Sequence, residues 1–216
     1  MVIKKLAVAA ALVGTGLAAQ AQIALAESFN DVVALAGTGW LALNNSPSPG
    51  TNWFQGNPGI FPAASGASDA YAAANFLGTT AASGPVSTWL ITPQLVLGVG
   101  SNIAFNVRVA GGGYLDTLQV LMSTTGTAPA NFTLLGSYSA STDAGWVPRT
   151  VLTGLAGQAQ AFIAFRYVVD NVAVDGNYLG LDSLVINAVP EPATALLLAL
   201  GVAGLIGYQS RRRQAA

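Results

Sequence analysis

Asn102-Ile103-Ala104-Phe105-Asn106-Val107-Arg108-Val109 alternates without a break. Ile103, Phe105, Val107 and Val109 fall on one side of an extended chain, and Asn102, Ala104, Asn106 and Arg108 on the other. That period of two predicts a β-strand with one buried face. The signature recurs on both sides of it. Leu118, Val120 and Met122 alternate with Thr117, Gln119 and Ser123, and Ile163, Phe165, Tyr167 and Val169 form the apolar side of 161–169. Further strands are expected over 89–97, 133–138, 147–152 and 178–186, with one or two near 71–76. Turn formers separate them: Gly111-Gly112-Gly113, Gly126-Thr127-Ala128-Pro129, Asp143-Ala144-Gly145 and Asp175-Gly176-Asn177. With no convincing helical run between these segments, the expected fold is all-β, an antiparallel β-sandwich.

Outside this middle the pattern changes at both ends. Lys4 and Lys5 precede an apolar run, Leu6 to Ala19, followed by small residues, which is the layout of a signal peptide. The run is too short for a retained membrane helix. Two A-x-A sites compete, Ala19-Gln20-Ala21 and Ala24-Leu25-Ala26; the second is preferred, so the leader is taken as 1–26 and the domain as 27–187. The sorting tail is then 188–216. In it, Pro190-Glu191-Pro192 precedes an uncharged segment, 193–208, and the cluster Arg211-Arg212-Arg213. As a helix that segment reaches about 24 Å, a thin or transient transmembrane span. The arginines hold the C-terminus on the cytoplasmic side and place everything before Pro190 outside. Each proline biases its predecessor toward extended backbone, and Pro192 suits a first helical position with Glu191 at the positive helix end. A stiff tripeptide at the outer membrane boundary results.

This tail resembles the PEP-CTERM sorting signal. The resemblance implies transient insertion in the inner membrane of a Gram-negative bacterium that makes extracellular polysaccharide. It also implies cleavage by an exosortase near the motif, after a signal peptidase has removed the leader.

Composition removes several function classes. The chain has no His and no Cys, so Ser-His-Asp and Cys-His nucleophiles, imidazole or thiolate zinc sites and disulfides are all excluded. Between Glu27 and Asn187 three arginines and no lysine face eight carboxylates, a net charge of −5. Such a domain lacks the clustered cations that nucleic acid requires.

Within the domain, six landmarks keep a characteristic order. They are Glu27-Ser28-Phe29 opening the first strand, Gly39-Trp40, Trp89-Leu90-Ile91-Thr92-Pro93, Tyr114 to Val120, Phe165-Arg166-Tyr167, and Leu179 to Ile186. Their order resembles the choice-of-anchor J domain, a family related in layout to the cleaved adhesin and MAM sandwich domains. The resemblance implies a jelly-roll-like sandwich, often with a calcium ion, displayed at bacterial surfaces.

Glu27 begins the first strand in this reading, and Asp182 shares a face of the last with Leu184 and Ile186. In the related sandwiches the two terminal strands approach each other. A carboxylate on a buried face needs a partner, and Ca²⁺ suits oxygen-only ligands, so Glu27, Asp182 and, more weakly, Asp69 are candidate ligands of a structural Ca²⁺. The alternative puts Asp182 in water and leaves Glu27 in a frayed terminus. The Gly-, Ser-, Asn- and Pro-rich stretch 37–82 is expected to form long loops, where binding sites concentrate. Trp40, Trp53, Tyr71 and Trp146 are candidate glycan contacts, with edge-of-core packing the alternative for Trp40 and Trp53. Asp170 and Asp175 form a conceivable glycosidase pair but read better as turn residues. The preferred reading is a non-enzymatic surface or matrix protein, adhesive in a polysaccharide layer. A carbohydrate-binding module is second and a glycosidase a distant third.

Overall fold

In the computed structural model the described residues are 22–189 and Gly201. Twelve strands run β1 (Gln22–Glu27), β2 (Leu41–Asn44), β3 (Phe54–Gln55), β4 (Ala72–Asn75), β5 (Val86–Ile91), β6 (Leu95–Leu97), β7 (Asn102–Val109), β8 (Asp116–Ser123), β9 (Thr133–Ala140), β10 (Val147–Leu152), β11 (Ala159–Val169) and β12 (Tyr178–Ala188). They form two antiparallel sheets. The first has the order β10-β7-β12-β4-β3 with β1 also on β12, and the second the order β2-β5-β11-β8-β9 with β6 also on β11. The inner faces meet in one core that includes Ile103, Phe105, Leu118, Val120, Ile163, Phe165, Leu181 and Ile186. This is the expected β-sandwich. Burial alternates along the whole of β7, as its period of two requires.

Three departures from the sequence reading have local causes. The segment 89–97 is two strands, because Thr92-Pro93-Gln94 leaves β5 and the chain re-enters pairing at β6 against Ala159–Ala161; Pro93 has no N–H to give a ladder. Glu27 ends the first strand instead of beginning it. β1 starts at Gln22, inside the segment expected to be leader, and pairs with β12 from Gln22–Ala188 to Glu27–Leu184.

The third departure is at Asp182. The register between β12 and β7 shifts between Asp182 and Val185, and Ser183 has φ 52°, a left-handed conformation rare for a residue with a Cβ. The bulge resets the alternation. Leu179 and Leu181 before it and Leu184 and Ile186 after it all face the core. Asp182 does not share their face; it points out of the sandwich with Tyr178 and Gly180, beneath the loop 56–70.

The leader through Ala21, the motif Pro190, Glu191 and Pro192, the span 193–208 apart from Gly201, and Arg211, Arg212 and Arg213 lie outside the described residues. Among the described residues no helix is long and apolar enough to cross a membrane.

Candidate functional site

The loop 56–70 closes over the outer face of the first sheet and builds a second, smaller core there from Phe61, Tyr71, Ala73 and Tyr178, with Phe54, Ala63 and Trp146 packed at its rim. Phe61 stacks on Tyr71 at 5.2 Å between centroids and meets Trp146 and Tyr178 edge-on at 5.5 and 5.3 Å. The hydroxyls of Tyr71 and Tyr178 are 3.1 Å apart, and each accepts the Asn57 N–H at 2.9 Å. Desolvation raises the pKa of both phenols, so they stay protonated donors. Gly180 is what lets the rings approach: a Cβ there would sit 2.8 Å from Trp146 and 2.9 Å from Phe61.

At the rim, Arg108 grips Asp143 in a bidentate pair, Nε to Oδ1 at 3.0 Å and Nη2 to Oδ2 at 2.8 Å, with its guanidinium 4.5 Å over the Phe61 ring. That hydrogen bonding holds the Asp143 carboxyl below its ordinary value. Trp146 donates Nε1–H to the Pro62 carbonyl at 2.9 Å and stays half-buried.

Of the four aromatics considered for glycan contact, three are buried. Tyr71 lies inside this nest, while Trp40 and Trp53 belong to the main core, Trp40 against Phe29 at 6.0 Å and Trp53 donating to the Thr88 carbonyl. Trp146 is half-buried, and Trp40 and Trp53 line a recess with Val32, Leu35 and Leu90. The large apolar area of an aromatic favours the interior, and these loops are long enough to fold back and supply it.

Beside the nest, the carboxylate of Asp182 is fully buried and pins the covering loop. Its Oδ2 accepts from Ala64 N at 2.8 Å and Ser65 N at 3.1 Å, and its Oδ1 from Ser183 N. These donors satisfy the charge at the site of burial. Glu27, half-buried, accepts from Phe29 N at 2.8 Å. The Asp69 side chain is exposed, but its carbonyl and that of Phe29 converge on one donor, Gln55 Nε2. Phe29 is thus joined to Glu27 through its N–H and to Asp69 through Gln55, while Asp182 is bonded to Ala64, Ser65 and Ser183. Among the described residues no three Asp or Glu side chains cluster as a metal cage.

Asp170 and Asp175 line a shallow recess with Thr117, Gln119 and Ser139. Asp175 spends Oδ1 on Leu115 N at 3.0 Å, and Asn171 caps the same turn by accepting from Gly84 N and Ala173 N. Both carboxylates lie in the segment 170–177 that joins β11 to β12.

Two features had no strong sequence signal. Asp116, fully buried, accepts from the Tyr167 hydroxyl at 2.6 Å and from Asn177 N at 2.9 Å. Arg166 lies 5.1 Å from the Trp89 ring on the outer face of the second sheet, bonded to Ser87 Oγ and Gln119 Oε1. A polar residue in a period-two strand shows its face but not its partner across the sheet.

Comparison with known proteins matches residues 22–186 to the Cleaved Adhesin Domain and residues 188–213 to the PEP-CTERM protein-sorting motif. Similar solved structures include the K1 cleaved adhesin domain of Lys-gingipain from Porphyromonas gingivalis W83. It is 26% identical with a TM-score of 0.57, over 76% of this chain and 97% of that one. The K3 domain of the same protein is 21% identical with a TM-score of 0.56, over 78% and 99%. Comparison with curated proteins gives no match.

Proposed function

This chain belongs to the cleaved adhesin domain family and ends in a PEP-CTERM sorting motif, and from that premise we propose that it is a non-enzymatic, adhesin-like surface protein of the extracellular polysaccharide layer, released to its final location by an exosortase acting at Pro190-Glu191-Pro192. Neither matched family is a catalytic one. The observation that carries the reading is the junction between the two segments. β12 runs to Ala188, and Val189 N still donates to the buried Ser101 Oγ at 3.2 Å. The motif begins at the next residue, so the folded body is joined to its sorting handle without a linker.

The test is fractionation of a producing bacterium expressing either the native chain or a variant carrying Pro190→Ala, Glu191→Ala and Pro192→Ala. The native protein is expected in the surface and extracellular fractions and the variant in the inner membrane. Identical distributions would refute sorting through the motif.

A structural Ca²⁺ is part of the same proposal. The all-oxygen set fits its chemistry, with the carboxylates of Glu27 and Asp182 and the carbonyls of Phe29 and Asp69 as the groups that would hold it. In place of the expected side chain, Asp69 offers its carbonyl. Chelator treatment is expected to lower the melting midpoint by several degrees and Ca²⁺ to restore it; an unchanged midpoint removes the ion from the account.

Glycan recognition remains a second reading on one observation. Trp146, with Arg108 and Asp143 beside it, joins a part-exposed aromatic face to a charged pair. A glycan array that is blank for the native domain excludes it.

A further inference from the structure

We propose that the leader is removed between Ala21 and Gln22, so that Gln22, and not Glu27, is the mature N-terminus. This rests on the signal-peptide reading and decides between the two sites that the sequence leaves in competition.

The two cuts leave different sandwiches behind. Cleavage after Ala26 would take away all of β1 except Glu27. β1 is an integral strand of the first sheet: Gln22, Ile23, Leu25, Ala26 and Glu27 pair with Ala188, Asn187, Ile186, Val185 and Leu184. Ala24 and Leu25 pack on the main core, which holds the fully buried Leu97 and Ile186 nearby. Removing the strand would strip the ladder partner from one side of the second half of β12. Its backbone N–H and C=O groups would face solvent on an open edge, the feature that β-proteins take care to cover. Apolar side chains would be exposed with them.

Cleavage after Ala21 leaves every one of these contacts in place. Ala19 and Ala21 satisfy the small-residue requirement of the peptidase as well as Ala24 and Ala26 do, so the recognition chemistry does not separate the sites. The fold does. The match to the cleaved adhesin family also opens at residue 22, which counts Gln22–Ala26 as domain and not leader.

A structural consequence follows at the membrane. Gln22 is the register partner of Ala188, and the sorting motif begins two residues beyond. Hydrolysis of the Ala21–Gln22 bond adds one water, leaving a carboxylate on Ala21 and an amine on Gln22. The exposed Gln22 amine can then close on its own side-chain amide with loss of ammonia.

The experiment uses the full chain, exported in a Gram-negative host, with the N-terminus of the product read by mass spectrometry. The expected N-terminus is Gln22, as the free amine or as the lactam that has lost ammonia. Ala21→Gln is expected to abolish this N-terminus, whereas Ala26→Gln, an exposed position on β1, leaves it unchanged. A wild-type product starting at Glu27 overturns the proposal while the leader reading stands. A product starting at Met1 overturns the leader reading and the proposal with it.

Discussion

Asp116 is the carboxylate whose environment is least balanced. Tyr167 and Asn177 both serve its Oδ1, while Oδ2 is buried with no partner among the described residues. Desolvation raises its pKa above the ordinary 3.8, outweighing the hydrogen bonds from Tyr167 and Asn177 that lower it. The folded state therefore binds the proton more tightly than the unfolded chain. The stability this group contributes is fully present below 3.8 and is lost as pH rises through the higher folded value. Asp116→Asn cannot ionise. Its stability relative to the native protein is expected to improve as pH rises from about 3.5 to about 7, read from denaturant melts at both values. A difference independent of pH would show that Asp116 keeps an ordinary pKa. The other fully buried carboxylate, Asp182, shows the limit of reading residues from pattern. The company of Leu184 and Ile186 raised burial as one of two readings, but its face was not legible, because one left-handed residue, Ser183, reverses the alternation. A serine carries no signal of that conformation, as a glycine would.

Among the elements, the loop 56–70 depends on β12 for its seat. A Cβ at Gly180 would press on Trp146, Phe61 and Tyr71 together, at 2.8, 2.9 and 3.0 Å, and three rings packed against one another have little room to retreat. Gly180→Ala is expected to destabilise by about 1–3 kcal/mol, a loss of roughly 3–10 °C in melting temperature for a domain of this size. Limited proteolysis should then cut first within 56–70. An unshifted midpoint would mean that the nest is loosely packed. The elements were otherwise unequally readable. β7 declared itself through strict alternation, and β8 and β11 through a looser one, since each buries one face against the opposite sheet. β1 did not, because Gln-Ile-Ala-Leu-Ala continues the small, apolar character of the leader and its short alternation is lost in it. The aromatic nest was hidden for another reason. Its members come from 54–73, 146 and 178, and no local pattern records that a loop will fold back across a sheet.

At the scale of the whole molecule, the paired positions of Gln22 and Ala188 bring the beginning and end of the sandwich together. The body between them is acidic and lysine-free, with its aromatics largely spent on three buried clusters. The central claim is that this body crosses the bilayer and then loses its handle, and the most direct test is the intact mass of the protein recovered from the surface of the producing cell. The account predicts a chain that ends at or near Pro190-Glu191-Pro192 and lacks the apolar segment and Arg211–Arg213. A surface-recovered chain retaining all residues to Ala216, or an intact product found only in the cytosol, would contradict it.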